Sequence, residues 1–312
     1  MNISWKGVFP AVTTKFFEDG RLDMDSFEKN IHAQIDAGVH GIILAGSLGE
    51  ASTLKNSEKL ELVKKTLNLT NGKVPVIMNI AEKSTEDAIK SANDAEKLGA
   101  SGLMMLPPMQ YKADNRETVH YFKSVAESTN LPIMVYNNPV DYGIEVTIDM
   151  MDELIEQDNI QAIKESTRDT SNITRIINQF GSRISVFSGV DTIACESLML
   201  GASGWVAGLV CAFPKETVAI YNLVKAGRYE EARKINQWFL PLLELDINPK
   251  LVQNIKLAEV ATGIGTEPVR EPRLKLVGQE RDHVLSVIDN ALKNRHTING
   301  LVQNNGKLSQ HT

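Results

Sequence analysis

The stretch Val76 to Gly99, VIMNIAEKSTEDAIKSANDAEKLG, holds one complete strand-plus-helix unit, and its reading decides the fold. Val76-Ile77-Met78 is an unbroken apolar run, as expected of a strand buried on both faces. Ser84, with Asp87 three residues on, is a capping-box-like helix start, after which Ala88, Ala92, Ala95 and Leu98 recur at helical spacing. Gly99 closes the helix, because glycine accepts the left-handed conformation in which helices commonly end.

The same unit repeats on both sides. Upstream, Val8-Phe9-Pro10-Ala11-Val12 predicts a first strand after Gly7, Asp23 caps a helix carrying Phe27, Ile31 and Ile35, and Gly38 ends it. Ile42 to Ala45 predicts the second strand, followed by Leu60, Val63 and Leu67 at helical spacing. Downstream, strands are predicted at Leu103 to Leu106, Ile133 to Tyr136, Ile160 to Lys164, Ile184 to Phe187 and Trp205 to Ala207. From Val8 onward, successive strands begin 34, 34, 27, 30, 27, 24 and 21 residues apart, the length of a βα unit. Eight such units predict an α/β fold, a closed (β/α)8 barrel of the TIM-barrel architecture. No glycine-rich dinucleotide loop supports a doubly wound sheet instead. The barrel is expected over residues 1–222. After Pro214 the patterns turn helical, at Val218 to Val224, Tyr229 to Leu245, Pro249 to Ala261 and Glu280 to Lys293. Residues 223–295 are therefore expected as a C-terminal helical layer and a candidate oligomer surface. The Asn/Gln/Gly-rich stretch 296–312 is expected to be a mobile tail.

A chain of 312 residues with 42% hydrophobic and 23% charged residues can bury a large core. Its net charge of -6 and lack of a long basic run give no sign of a nucleic-acid or membrane partner. No apolar signal segment opens the sequence and no 18-residue apolar run occurs, so a cytoplasmic protein is expected. Cys195 and Cys211 form no CxxC pair and read as small buried residues, and the six histidines show no metal-ligand spacing, so no metal is expected.

Three polar stretches follow predicted strands and fall on the active face of such a barrel: Gly46-Ser47-Leu48-Gly49-Glu50, Tyr136-Asn137-Asn138-Pro139 and Lys164-Glu165-Ser166-Thr167-Arg168. A lysine ending a buried strand either reaches solvent or is desolvated into a nucleophile. At a pKa of about 10.4 roughly one lysine in 2,500 is neutral at pH 7, and desolvation to about 7 to 8 recovers most of that factor. The iminium it forms with a carbonyl withdraws electrons from neighbouring carbons, which serves aldol cleavage, dehydration or deamination alike. The two glycines around Ser47 let backbone N–H groups hold a carboxylate or simply make a tight turn. Glu50 reads as an acid or base, or as a brace for the loop. Tyr136 directs its phenol to a packed partner or into the pocket.

GSLGE at Gly46 to Glu50, YNNP at Tyr136 to Pro139, AIKES at Ala162 to Ser166 and FSGVD at Phe187 to Asp191 together resemble the dihydrodipicolinate synthase / N-acetylneuraminate lyase family, over about residues 6 to 293. The resemblance implies a class I lyase in which Lys164 forms the Schiff base and Tyr136 relays protons. It places Ser47 and the amide of Leu48 at the carboxylate of a 2-keto acid such as pyruvate, with Gly189, Val206 and Ser166 also at the substrate. It implies no cofactor, since the imine is itself the electron sink, and a homotetramer or homodimer.

The chain departs from the family's dihydrodipicolinate-forming members, which resemble GTTGE in the first loop and carry an arginine for the distal carboxylate where this chain has Asp141. They also carry a paired tyrosine after the fourth strand, where Pro108-Met109-Gln110 precedes Tyr111 here. Arg168 either supplies the missing cation or is a solvated loop charge. Asp141 is read as an acceptor for a substrate hydroxyl or ring nitrogen. Leu48, in place of a hydroxyl residue, is similar to members that deaminate the pyrroline carboxylate derived from hydroxyproline. The expected function is therefore a catabolic aldolase, dehydratase or deaminase, such as a hydroxypyrroline-carboxylate deaminase. The alternatives are 4-hydroxy-tetrahydrodipicolinate synthase, an N-acetylneuraminate or keto-deoxy sugar acid aldolase, and a non-catalytic barrel that binds a keto acid.

Overall fold

The computed structural model describes residues 3–304. Eight parallel strands alternate with helices: β1 (Gly7–Pro10), β2 (Ile42–Leu44), β3 (Val76–Ile80), β4 (Gly102–Met105), β5 (Ile133–Asn137), β6 (Ile160–Glu165), β7 (Ser185–Ser188) and β8 (Gly204–Ala207). From β2 to β8 each strand pairs with the next in sequence, and β1 pairs with β8. Closure comes from Ala11, which bridges Ile43, and from the Val12 N–H, which donates to the Ile43 carbonyl at 2.9 Å. The chain is thus a (β/α)8 barrel with further helices after it. The first strand stops short of the expected Val12 because Ala11 and Val12 turn from β8 to β2, which is how a barrel loses its edges.

Local signals act as the sequence suggests. The Asp23 carboxylate accepts from the Ser26 N–H at 3.0 Å, and Ser84 Oγ accepts from the Asp87 N–H at 3.1 Å, satisfying helix-end donors that otherwise lack partners. Gly99 ends its helix at φ +93. Inside the barrel, Trp5 stacks on Phe9 at 6.0 Å and meets Phe187 edge-on at 6.3 Å, filling the end opposite the active face.

The boundary expected between residues 222 and 223 falls within the helix Pro214–Lys225, which packs on the barrel. Phe239, Leu242, Ile255 and Ile288, from three of the helices beyond it, belong to the same buried cluster as the strands. Part of the stretch expected to be a tail is ordered as well. His296 lies in a short 3-10 turn, Ile298 is buried, and Asn299–Asn304 is helical, so the apolar Ile298 ties down a stretch whose composition reads as tail. Residues 305–312 of that expected tail lie outside the described residues. Among the described residues, no helix is long and apolar enough to cross a membrane.

Candidate active site

β5 and β6 run with Tyr136 opposite Lys164 and Asn137 opposite Glu165. Side chains alternate along a strand, and Ile163 lines a crevice with Val146, Met151 and Ile176 on the helical side, so Lys164 points into the barrel. On the outer side, Asn137 Nδ2 donates to Glu165 Oε2 at 2.9 Å, and its Oδ1 accepts from the Val146 N–H at 2.9 Å. The Ser166 N–H donates to the Asn137 carbonyl at 2.8 Å. These bonds tie the two strand ends together and hold the inward pair in register.

Lys164 is 7% exposed, and its Nζ lies 3.7 Å from the centroid of the Tyr136 ring. The other buried lysines each meet a carboxylate: Lys15 meets Glu259 at 3.0 Å, Lys59 meets Glu82 at 2.7 Å and Lys256 meets Glu50 at 2.5 Å. Among the described residues Lys164 has no ion-pair partner. Burial therefore dominates and pushes its amine below the ordinary lysine range, against the raising influence of the Tyr142 phenol and of Asp246, Asp191 and Asp141. Burial likewise pushes the Tyr136 phenol up to about 12. Asn138 Nδ2 donates to that phenol oxygen at 3.1 Å and to Asp141 Oδ2 at 2.7 Å. Ser166 Oγ is close enough to favour the ionised phenol, yet it is buried without a partner at hydrogen-bonding geometry. A Cβ at Gly189 would lie 2.1 Å from Ser166 Oγ and 2.7 Å from Lys164 Cγ, so the lysine's stem occupies space that only glycine leaves free.

The Ser47 loop is held from outside the cavity. Ala45 and Glu50 adopt left-handed conformations at φ 56 and 58, turning the backbone back on itself. Glu50 acts as a brace: it is fully buried, its Oε1 accepts from Lys256 Nζ at 2.5 Å and its Oε2 from the Arg270 N–H at 3.0 Å. Both partners come from the C-terminal layer. Removing the cation from such a pair leaves a buried charge uncompensated, so Lys256→Met should cost about 3–5 kcal/mol. Urea denaturation reads the loss, and a change under about 1 kcal/mol would mean that the pair does not hold this loop. Ser47 Oγ pairs with the Tyr142 hydroxyl, and the Tyr142 ring stands edge-on to Tyr136 with centroids 5.8 Å apart.

All eight residues singled out in the sequence, Ser47, Leu48, Tyr136, Asp141, Lys164, Ser166, Gly189 and Val206, line one cavity of about 630 Å³. Arg168 joins them. Its guanidinium sits 3.8 Å from Asp141 in a loose pair whose side chains are 43% and 55% exposed, and its backbone takes a left-handed turn at φ 65. Asp191, the last residue of FSGVD, lies behind the wall, accepting from Trp205 Nε1 at 2.8 Å and the Leu209 N–H at 2.8 Å.

Sequence reasoning missed Tyr142, Asp246 and Arg273. Tyr142 carried a usable signal, a hydroxyl-bearing ring in the loop after the fifth strand. Asp246 and Arg273 reach the wall from the C-terminal layer, and no strand-end rule points to them. A Cβ at Gly208 would fall 2.2 Å from Asp246 Oδ1, so the end of β8 is cut back to admit this carboxylate. Burial, then the neighbouring Asp191, holds Asp246 well above the ordinary carboxylate range. Among the described residues, no group of three or more His, Cys, Asp or Glu side chains is placed to hold a metal.

The chain matches the profile of the Dihydrodipicolinate synthetase family over residues 4–291. It is 32% identical over 292 residues to the 4-hydroxy-tetrahydrodipicolinate synthase of Methanococcus aeolicus, covering 92% of this chain and 98% of that one. It is 32% identical over 278 residues to the protein of the same name from Exiguobacterium sibiricum, covering 88% and 93%. The solved 4-hydroxy-tetrahydrodipicolinate synthase of Methylacidiphilum fumariolicum superposes with a TM-score of 0.90 at 26% identity, over 95% of this chain and 99% of that one. The dihydrodipicolinate synthase of Acinetobacter baumannii, solved with pyruvate, gives 0.89 at 27% identity over 92% and 99%.

Proposed function

The chain belongs to the dihydrodipicolinate synthetase family of Schiff-base-forming class I lyases, and on that premise we propose that it joins pyruvate to an aldehyde in the manner of a 4-hydroxy-tetrahydrodipicolinate synthase. The observation that carries this reading is the buried Lys164, which among the described residues has no counter-ion and is laid over a buried phenol. The neutral Lys164 amine adds to the C2 carbonyl of pyruvate, and with a proton relayed from solvent through Tyr136 water leaves, giving an iminium. Loss of a C3 proton gives an enamine, and C3 then bonds to the aldehyde carbon while Tyr136 supplies a proton to the developing alkoxide. If the aldehyde carries an amino group, that nitrogen attacks C2 and displaces Lys164, closing a ring. Ser47, with the amide of Leu48, receives the pyruvate carboxylate, Gly189 and Val206 shape the pocket, and the unpartnered Ser166 hydroxyl faces the substrate.

Relatives named as synthases favour this reaction over the catabolic deaminase expected from Leu48 and Asp141. The deaminase remains a second reading because Asp141 stands in the cavity wall, where it can accept from a substrate hydroxyl or ring nitrogen. Turnover of pyruvate with aspartate semialdehyde, compared with hydroxypyrroline carboxylate, sialic acid and 2-keto-3-deoxy acids, separates the two. The same proposal includes a homotetramer or homodimer, supported by the exposed Leu200, Leu240, Leu274 and Val277, and a cytoplasmic location, supported by two free buried cysteines.

Trapping with pyruvate and borohydride, followed by weighing the intact chain, should give one reduced adduct. The rate should rise with pH, because the neutral amine is the nucleophile, and should level off below the ordinary lysine range, because burial lowers the pKa of Lys164. A rate still climbing through that range would mean that the reacting lysine is exposed.

A further inference from the structure

Arg273 is a charged group of the cavity wall to which the imine chemistry gives no task. It enters the wall, which Asn248 and Pro249 also line, from the segment after the helix Leu251–Ala261, and is half-buried there. Among the described residues, no carboxylate lies within ion-pair distance of its guanidinium. Arg270, three residues earlier, is fully engaged: its two terminal nitrogens each donate to Glu58 at 2.8 Å, and it also reaches the carbonyls of Gly20 and Thr53. Arg270 anchors the segment, so Arg273 is presented to the cavity from a backbone already fixed. The other guanidinium in the wall, Arg168, faces Asp141.

An arginine is always charged and offers a planar fork of donors that fits a carboxylate. Facing the cavity with none of the wall's carboxylates paired to it, Arg273 is a receptor for the carboxylate of a ligand. We propose that Arg273 receives the carboxylate of the second substrate, at the end remote from the carbon that bonds to pyruvate, and so selects acidic aldehydes over neutral ones. A cavity of about 630 Å³ has room for both a pyruvate-sized and a four-carbon partner. The inference rests on the imine reading of Lys164 and deepens it by naming the class of the acceptor.

The test compares the full chain with Arg273→Ala and Arg273→Lys. Aspartate semialdehyde and succinate semialdehyde serve as acidic aldehydes, butanal as the neutral one, each assayed with pyruvate, alongside borohydride trapping of pyruvate alone. Arg273→Ala should lower kcat/KM for the acidic aldehydes roughly 10- to 100-fold, the value of a charge-assisted hydrogen bond, and leave butanal unchanged. Arg273→Lys should recover part of the loss, and trapping should match wild type in both variants. Equal losses on acidic and neutral aldehydes, or a wild type with no preference for acidic ones, would overturn the inference while the Lys164 adduct stands. Absence of the adduct in wild type would remove the imine reading, and the inference with it.

Discussion

Replacing Lys164 with alanine should abolish the borohydride-trapped pyruvate adduct and lower turnover by at least about 10⁴-fold, comparable with losses seen when a covalent nucleophile is removed. Among the described residues no other buried lysine is free to substitute, since Lys15, Lys59 and Lys256 are each held by a carboxylate. Lys164→Met separates chemistry from folding. Because burial lowers the pKa of Lys164 in the folded chain, the unfolded chain binds the proton more tightly, and the lysine costs stability at pH values below its folded pKa. That cost fades as pH rises from the folded pKa through the unfolded one. The methionine variant should therefore be at least as stable as wild type at pH 7, and its advantage should shrink in alkali. An adduct that survives in either variant would end the assignment of the nucleophile.

Removing one oxygen with Tyr136→Phe should lower kcat by about 10²- to 10⁴-fold, the usual contribution of a positioned proton donor. The ring under Lys164 remains, so the amine stays desolvated and pyruvate should still be trapped, more slowly. Asn138 loses one acceptor but keeps Asp141 at 2.7 Å, so the fold should be nearly unaffected. A phenol pushed up to about 12 stays protonated at neutral pH and can donate to an alkoxide. Retention of kcat within tenfold would assign proton transfer elsewhere, with the Tyr142 hydroxyl on Ser47 the next group to test.

Most of the barrel is legible because each strand is apolar on both faces and bounded by a turn or cap. Val76, Ile42, Ile133 and Ile160 begin strands where the apolar runs begin. The seventh strand starts one residue later than Ile184, and the first ends at Pro10, because pairing to neighbours rather than composition sets those limits. Glu50 illustrates a choice that sequence leaves open: its partners Lys256 and Arg270 are more than 200 residues away, and only folding shows that both its oxygens face them. The helical end at Asn299–Asn304 was hidden by polar composition, which does not register a single apolar anchor such as Ile298.

The sequence by itself determined the eightfold alternation of strand and helix, and with it the gathering of Ser47, Tyr136, Lys164 and Gly189 at one end of the barrel. Period, caps and strand length are local properties, and a parallel barrel turns strand order into a shared active face. Tertiary structure alone decided which buried lysine lacks a counter-ion, that Tyr142 reaches Ser47, and that Asp246 and Arg273 complete the far wall. Those are long-range pairings, and electrostatic balance depends on what stands within a few ångströms, which residue order along the chain does not specify.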